Sequence, residues 1–452
     1  MGIAIPYEED ALGRVHAPAT IALVAINVIV YAFTSVENGF ITIADRWVGL
    51  GAFVPAMISD PANWYRLITS MFLHANISHI FFNMLFLYSF GKHVEATIGT
   101  KRFLALYFIS GLAAEIFHTA LIPIEGLASA FIPALGASGA ISGILAAYLI
   151  LFPGTRLSMC FFYFYFPLCF TTSAAVFITF WFALQVIQGY LGASLGVAVF
   201  AHAGGFIGGL ASLPYLVDWY RHRLIRYYAN ARHMFMNIFF TRSRRSPLAK
   251  PILVLLILVL IAGILYSATA ASRADTVNKV LDFTVETRVC EAAAACTKTV
   301  DQEQVVIQVY PDGSIDHAPI ASDSVRVVFN RLNALKLIYS KANADSTVNV
   351  KKSGTVRVLG IPVKLQIDAT LTYDEKGVLD QGRGTVTTQV LTCTQTYCTP
   401  GGTAQYTFEA RTVAKTMGLA GIPILQLSVV ALALCIASID TVARKAERLE
   451  II

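Results

Sequence analysis

Eight apolar stretches, each long enough or nearly long enough to cross a hydrocarbon core about 30 Å thick, leave this chain few folds to adopt. They cover residues 17–36, 68–90, 103–122, 138–152, 168–187, 195–217, 252–271 and 419–436. Lipid supplies no hydrogen bonds, so each stretch must satisfy its own backbone, and a helix does that within one segment. Composition agrees: of 452 residues, 56% are hydrophobic and 14% charged, well outside the usual range of soluble domains. The expected fold class is an α-helical polytopic membrane protein.

Charge predicts the topology. Lys92, Lys101 and Arg102 follow the second stretch, Arg156 the fourth, a basic run from Arg221 to Lys250 the sixth, and Arg444, Lys445 and Arg448 the eighth. Positive loops stay on the cytoplasmic side, which puts both termini in the cytoplasm and the first, third and fifth loops outside. The net charge of +6 resides in these short loops, so the lipid bilayer is the expected surrounding and no nucleic-acid partner is expected. Residues 1–20 carry Glu8, Glu9 and Asp10 and lack the order of a cleavable signal, so the first span is expected to act as its own signal.

From residue 272 to 417 the composition turns to Thr, Val, Asp, Lys and Gln, with alternating runs such as Val305-Val306-Ile307-Gln308-Val309. Turn signals at Pro311-Asp312-Gly313 and Gly401-Gly402 and one amphipathic helix over 322–342 complete a small α+β domain outside the membrane. Cys290, Cys296, Cys393 and Cys398 lie in it as two closely spaced pairs and predict two local disulfides, whereas Cys160, Cys169 and Cys435 read as packing residues. The domain plan is a six-span body (1–220), a basic cytoplasmic linker (221–250), a seventh span (251–271), the outer domain (272–417), an eighth span (418–438) and a tail (439–452).

Polar groups inside a bilayer are costly and mark functional candidates. The fourth stretch opens at Gly136-Ala137-Ser138-Gly139 and ends near Pro153-Gly154, which places Ser138 several ångströms beneath the outer surface. His79 and Asn83, four apart in the second stretch, share a helix face, with His74 at the outer edge; His202 falls about 10 Å below the outer end of the sixth. Gly139 and Gly143 face a repeat of small residues at Ala201, Gly205 and Gly209, and such pairs let helix backbones approach closely. That approach would bring the Ser138 hydroxyl within reach of His202, as a serine nucleophile and its base require. No outer-layer carboxylate offers a third member, so the pattern is a dyad whose imidazole is held by packing. The Ser138 amide, His79 and Asn83 are candidate oxyanion donors. A lone serine or histidine here would be packing; their shared depth favours chemistry. His74, His79 and His202 lack the carboxylate of a metalloprotease pattern, so no metal or cofactor is expected. Glu115 and His118 read as an internal pair.

In this order and spacing, Trp64-Tyr65-Arg66, His74 with His79 and Asn83, Val94-Glu95, Gly136-Ala137-Ser138-Gly139 and Ala201-His202-Ala203-Gly204-Gly205 resemble the rhomboid family of intramembrane serine proteases, bacterial type, over about residues 6–220. The resemblance implies a six-helix bundle with Ser138 as nucleophile and His202 as base. It implies that His79, Asn83 and the Ser138 amide line the oxyanion hole, that His74 shapes a wet cavity, that Trp64 and Arg66 anchor the first outward loop, and that Glu95 braces the second span. Residues 168–195 look like the family's substrate gate. Where some members place an aromatic ring four residues after the serine to hold the histidine, this chain has Ser142. The implied activity is hydrolysis of peptide bonds in or beside transmembrane helices of other proteins, from a multi-pass position in an inner or plasma membrane. The alternative is a catalytically silent relative that binds transmembrane helices and controls their stability or traffic. Two extra spans and the outer domain, which could hold a protein partner, follow the resemblance.

Overall fold

The computed structural model describes residues 5–8, 16–163, 166–192, 198–236, 248–272, 277–290, 297–310, 313–358, 361–393, 398–413 and 422–451. Of the sequence expectations, Glu9, Asp10, Leu195, Pro311, Asp312, Cys296, 237–247 and 414–421 lie outside them, as do the side chains of Cys160, Cys169, Cys290, Cys393 and Cys398. No disulfide occurs among the described residues, and Cys435 is a buried free thiol. The chain forms two units: residues 1–125, 132–272 and 422–452, and residues 126–131 with 273–421.

In the first unit, β1 (Ile5–Glu8) precedes α1 (Pro18–Ser35), which starts at a proline whose missing N–H costs a helix nothing at its first turn. α2 (Asp45–Gly51) and α3 (Arg66–Thr69) are short, and α4 (Ile77–Ile98) is followed by α5 (Thr100–Ala120) and α6 (Ile122–Glu125). α7 (Ser138–Leu151) leads into a hairpin of β2 (Arg156–Tyr163) and β3 (Phe166–Ser173), to which β1 adds a third strand. α8 (Ala174–Leu191), α9 (Val199–Leu216), α10 (Trp219–Met236) and α11 (Ala249–Ser272) complete this part.

The second unit is a seven-stranded antiparallel sheet of β4 (Val277–Cys290), β5 (Thr297–Val309), β6 (Ile315–His317), β7 (Thr347–Val358), β8 (Ile361–Tyr373), β9 (Leu379–Cys393) and β10 (Cys398–Thr412), in the order β6-β5-β4-β10-β9-β8-β7. Alternate residues Leu281, Phe283 and Val285 face one side, where α12 (Asp323–Ala334) packs Val325, Val328, Phe329 and Leu332 onto them. Afterwards α13 (Ile424–Asp440) and α14 (Ala446–Leu449) return to the first unit.

Six helices among the described residues are long and apolar enough to cross a membrane; of the other two apolar stretches, one is α4, 22 residues with many polar groups, and the other is α7, only 14 long. The protein is a multi-pass membrane protein.

Several boundaries differ from the sequence reading for identifiable reasons. The stretch 68–90 is not one helix: α4 starts only at Ile77, because the Asn76 side chain accepts the His79 amide as an N-cap and the Ala75 carbonyl and Ile77 amide bond to Ile43 and Ile41. His74 therefore lies before the helix. Residues 168–173 belong to β3, where an aromatic-rich run favours strand and Pro167 disfavours a helix interior, and Ser173 caps α8 by accepting the Val176 amide. The expected helix over 322–342 ends at Ala334, shortly before Lys336 at φ 55°. Gly401-Gly402 is no turn; it sits at a register shift inside β10, as glycines at a bulge do. The linker's first part, 221–236, is helical, as the continuation of a helix that starts at Trp219.

Candidate functional site

The site is built around the turn that starts α7. Gly136 has φ +127°, a conformation that side chains rarely adopt, and a Cβ there would meet His79 Nε2 at 2.8 Å. Its amide donates to the Ser70 carbonyl (2.9 Å), and the next amide, Ala137, donates to His74 Nε2 (3.5 Å). The following amides, from Ser138 on, belong to the first turn of a helix, which has no intrahelical acceptors for them.

Ser138 Oγ stands 2.7 Å from His202 Nε2 on α9. Absent side chains make this possible. A Cβ on Gly205 would overlap the Gly139 carbonyl oxygen, one on Gly209 would overlap that of Gly143, and one on Gly143 would meet the Gly205 carbonyl oxygen at 2.9 Å. Gly204 and Gly208 turn the other way, onto Phe117 and Ala113 of α5. The glycines of α9 thus serve two neighbours, two against α7 and two against α5.

His202 is held by more than packing. Its Nδ1 lies 2.8 Å from Gln185 Oε1 on α8, and the Trp181 ring, one turn earlier on the same helix, lies 6.2 Å from the imidazole. The sequence reading passed over Gln185, yet the rule that flagged the histidines, a polar group within an apolar span, applies to it equally. Ser142, at the position where some members of the resembled family place an aromatic ring, donates to the Ser138 carbonyl at 2.7 Å.

The other expected residues gather unevenly. His74 and His79 meet edge to face at 5.2 Å, and His79 Nδ1 accepts the Ala75 amide at 3.4 Å, which leaves Nε2 beside Gly136. Asn83 is buried and donates its amide to the His79 carbonyl at 3.0 Å, one turn back along its own helix. Trp64 and Arg66 fold the first outward loop onto itself: the indole donates to the Ile58 carbonyl (2.8 Å), and the guanidinium donates to Ala52 O and Asn63 Oδ1 (3.0 Å each). Glu95 caps α1 by accepting the amides of Ala19 (2.9 Å) and Thr20 (2.7 Å). Glu115 and His118 do not hydrogen-bond each other; Glu115 Oε1 lies 3.4 Å from Ser70 Oγ, and His118 Nδ1 3.4 Å from Glu125 Oε2.

With Nδ1 facing an amide oxygen, the tautomer that bonds to that oxygen carries its proton on Nδ1 and turns the Nε2 lone pair to the serine hydroxyl. Such a pair can deprotonate Ser138 as it attacks a carbonyl.

Fold and site together define a multi-pass helical membrane protein with a serine and a histidine joined across two helices. Residues 61–219 match the family described as "Rhomboid domain". The chain is 34% identical over 130 residues to "Rhomboid protease GluP" of Bacillus subtilis (strain 168), covering 29% of this chain and 24% of that protein. To "Rhomboid protease AarA" of Providencia stuartii it is 33% identical over 139 residues, covering 29% and 50%. "Inactive rhomboid protein 1" of Drosophila melanogaster is 32% identical over 101 residues, covering 22% of this chain and 7% of that protein. The chain thus spans half or less of the length of each of these relatives.

Proposed function

We propose that this protein is an intramembrane serine endopeptidase that cuts peptide bonds in or next to transmembrane helices, with Ser138 as nucleophile and His202 as base. The observation that carries the reading is the 2.7 Å contact between Ser138 Oγ and His202 Nε2 at the start of a helix. His202 takes the hydroxyl proton as Oγ adds to the scissile carbonyl, and the resulting oxyanion lies at the α7 N-terminus beside the Ser138 amide and His79. The imidazolium then protonates the leaving amine, and a water activated by the same ring hydrolyses the acyl-enzyme. Both termini in the cytoplasm, an inner or plasma membrane location and an outward-facing domain fit the placement of basic loops.

The test is cleavage of a single-span substrate in proteoliposomes: Ser138→Ala should lower the rate by about 10⁴-fold or more while the protein stays in the membrane. Persistent cleavage would end the assignment. The likeness to a relative named as inactive keeps a second reading in view, a silent protein that binds transmembrane helices. A serine-directed phosphonate separates the two, since only an activated Ser138 reacts.

A further inference from the structure

We propose that Gln185 is a positioning residue for His202, fixing through its amide oxygen the tautomer and rotamer that present Nε2 to Ser138, and that it does so from α8, the helix expected to gate substrate. The inference rests on the reading of Ser138 and His202 as nucleophile and base.

A neutral imidazole has one N–H, and the ring nitrogen that carries it is set by the bond the other side makes. Gln185 Oε1 at 2.8 Å from Nδ1 can only accept, so the proton stays on Nδ1 and Nε2, at 2.7 Å from Ser138 Oγ, keeps its lone pair. Without that acceptor the opposite tautomer would point an N–H at the serine and could take no proton from it. Trp181 lies four residues before Gln185 on the same face of α8 and stands beside the imidazole, limiting rotation of the ring. These two contacts fill the place of the aromatic that Ser142 does not provide.

An amide suits this depth. A carboxylate would bind the imidazolium more strongly, but burying a full charge in an apolar helix costs far more than burying a neutral amide. The surroundings of His202 are otherwise neutral on the elements that touch it: α7 and α8 carry no charged side chain, and α9 has no titratable group but His202 and Tyr215, which is near the far end of the helix. His79 on α4 is another titratable group at the site, with its Nε2 beside Gly136, while Glu115 and His118 of α5 are engaged with Ser70 and Glu125, and Asp440 of α13 with Lys445.

Because Gln185 and Trp181 ride on α8, an outward movement of that helix would release the imidazole as it admits a substrate. The base would be oriented only once α8 has closed again. Chemistry and gating would then share one helix face.

The experiment compares Gln185→Leu and Gln185→Glu with the unaltered protein in proteoliposomes, reading cleavage of a single-span substrate and, separately, Ser138 labelling by a small fluorophosphonate that needs no movement of α8. Gln185→Leu should lower kcat and the labelling rate together by about 10- to 100-fold, with KM within about twofold. Gln185→Glu keeps an acceptor, so it should recover most of the labelling rate. Its carboxylate stabilises the imidazolium, so the acid limb of its kcat/KM profile should move to higher pH by about one unit. The proposal is overturned if Gln185→Leu labels at the unaltered rate, which would confine Gln185 to gating, or if the Gln185→Glu profile does not move. Failure of the underlying reading is distinct: there the unaltered protein would not label at Ser138, or Ser138→Ala would still cut.

Discussion

At Gly136 three requirements meet in one residue: a positive φ, an amide spent on Ser70, and no side chain where the His79 ring stands. That turn aims the amides of the α7 N-terminus at the space beside Ser138 and brings His79 Nε2 to the same place. If His79 donates to the developing oxyanion, His79→Ala should lower kcat by about 10²-fold with KM little changed, measured on the same single-span substrate. Unchanged kcat would mean that the helix start alone stabilises the anion. The nearness of Ser138 and His202 was legible in the sequence because depth along a helix follows from counting at 1.5 Å per residue. The partner of the Asn83 amide was not, since a rotamer decides it and spacing is blind to rotamers. Gln185 went unseen for another reason: nothing in the sequence says which of two amides three apart, Gln185 or Gln188, faces the histidine.

Among the elements, close approach of α7 and α9 was written in Gly139, Gly143, Gly205 and Gly209, because small residues have one strong consequence in lipid. Helix starts were less legible. Hydropathy runs straight through residues 68–76, while the Asn76 cap and the bonds to Ile41 and Ile43 stop the helix there, and these depend on a segment more than thirty residues earlier. α8 is tethered on two sides. Gln185 and Trp181 face His202, and the Tyr190 hydroxyl donates to the Val259 carbonyl of α11 at 2.8 Å, with the bare Gly263 beneath it. If α8 must shift to admit a substrate helix, the second tether opposes admission. Removing it with Tyr190→Phe should raise kcat/KM for a transmembrane substrate by about three- to fivefold, the worth of one interhelical hydrogen bond, and leave fluorophosphonate labelling unchanged. Equal kcat/KM in the two proteins would show that α8 does not limit admission.

On the scale of the whole molecule, the two C-terminal spans are part of the membrane unit, which the sequence could not reveal because nothing in an apolar 20-residue run says which neighbour it will touch. Leu253, Ile257, Leu260 and Ile264 of α11 and Ala431 and Cys435 of α13 lie in the same core as α5, α7 and α9. Among the bonds that tie this part down in the described residues are five short ones: Tyr190 to Val259 (2.8 Å), Ser267 to the Ala120 carbonyl (2.5 Å), Ser438 to that of Ile207 (2.9 Å), the Ile451 amide to Leu151 (2.8 Å) and His222 to Leu449 (2.6 Å). The sheet unit is an insertion between α11 and α13 with its own core around Phe283 and Phe329. Two deletions should therefore behave differently. Ending the chain after Met236 removes all five bonds, about 3 kcal/mol at roughly 0.6 each, and should lower the thermal midpoint in detergent by about 5 °C or more. Replacing 273–421 by a flexible linker keeps both spans and all five bonds, so the midpoint and Ser138 labelling should stay as they are. If instead the linker variant loses stability as the truncation does, the sheet unit supports the bundle itself, and the division into two independently packed cores does not describe how the protein holds together.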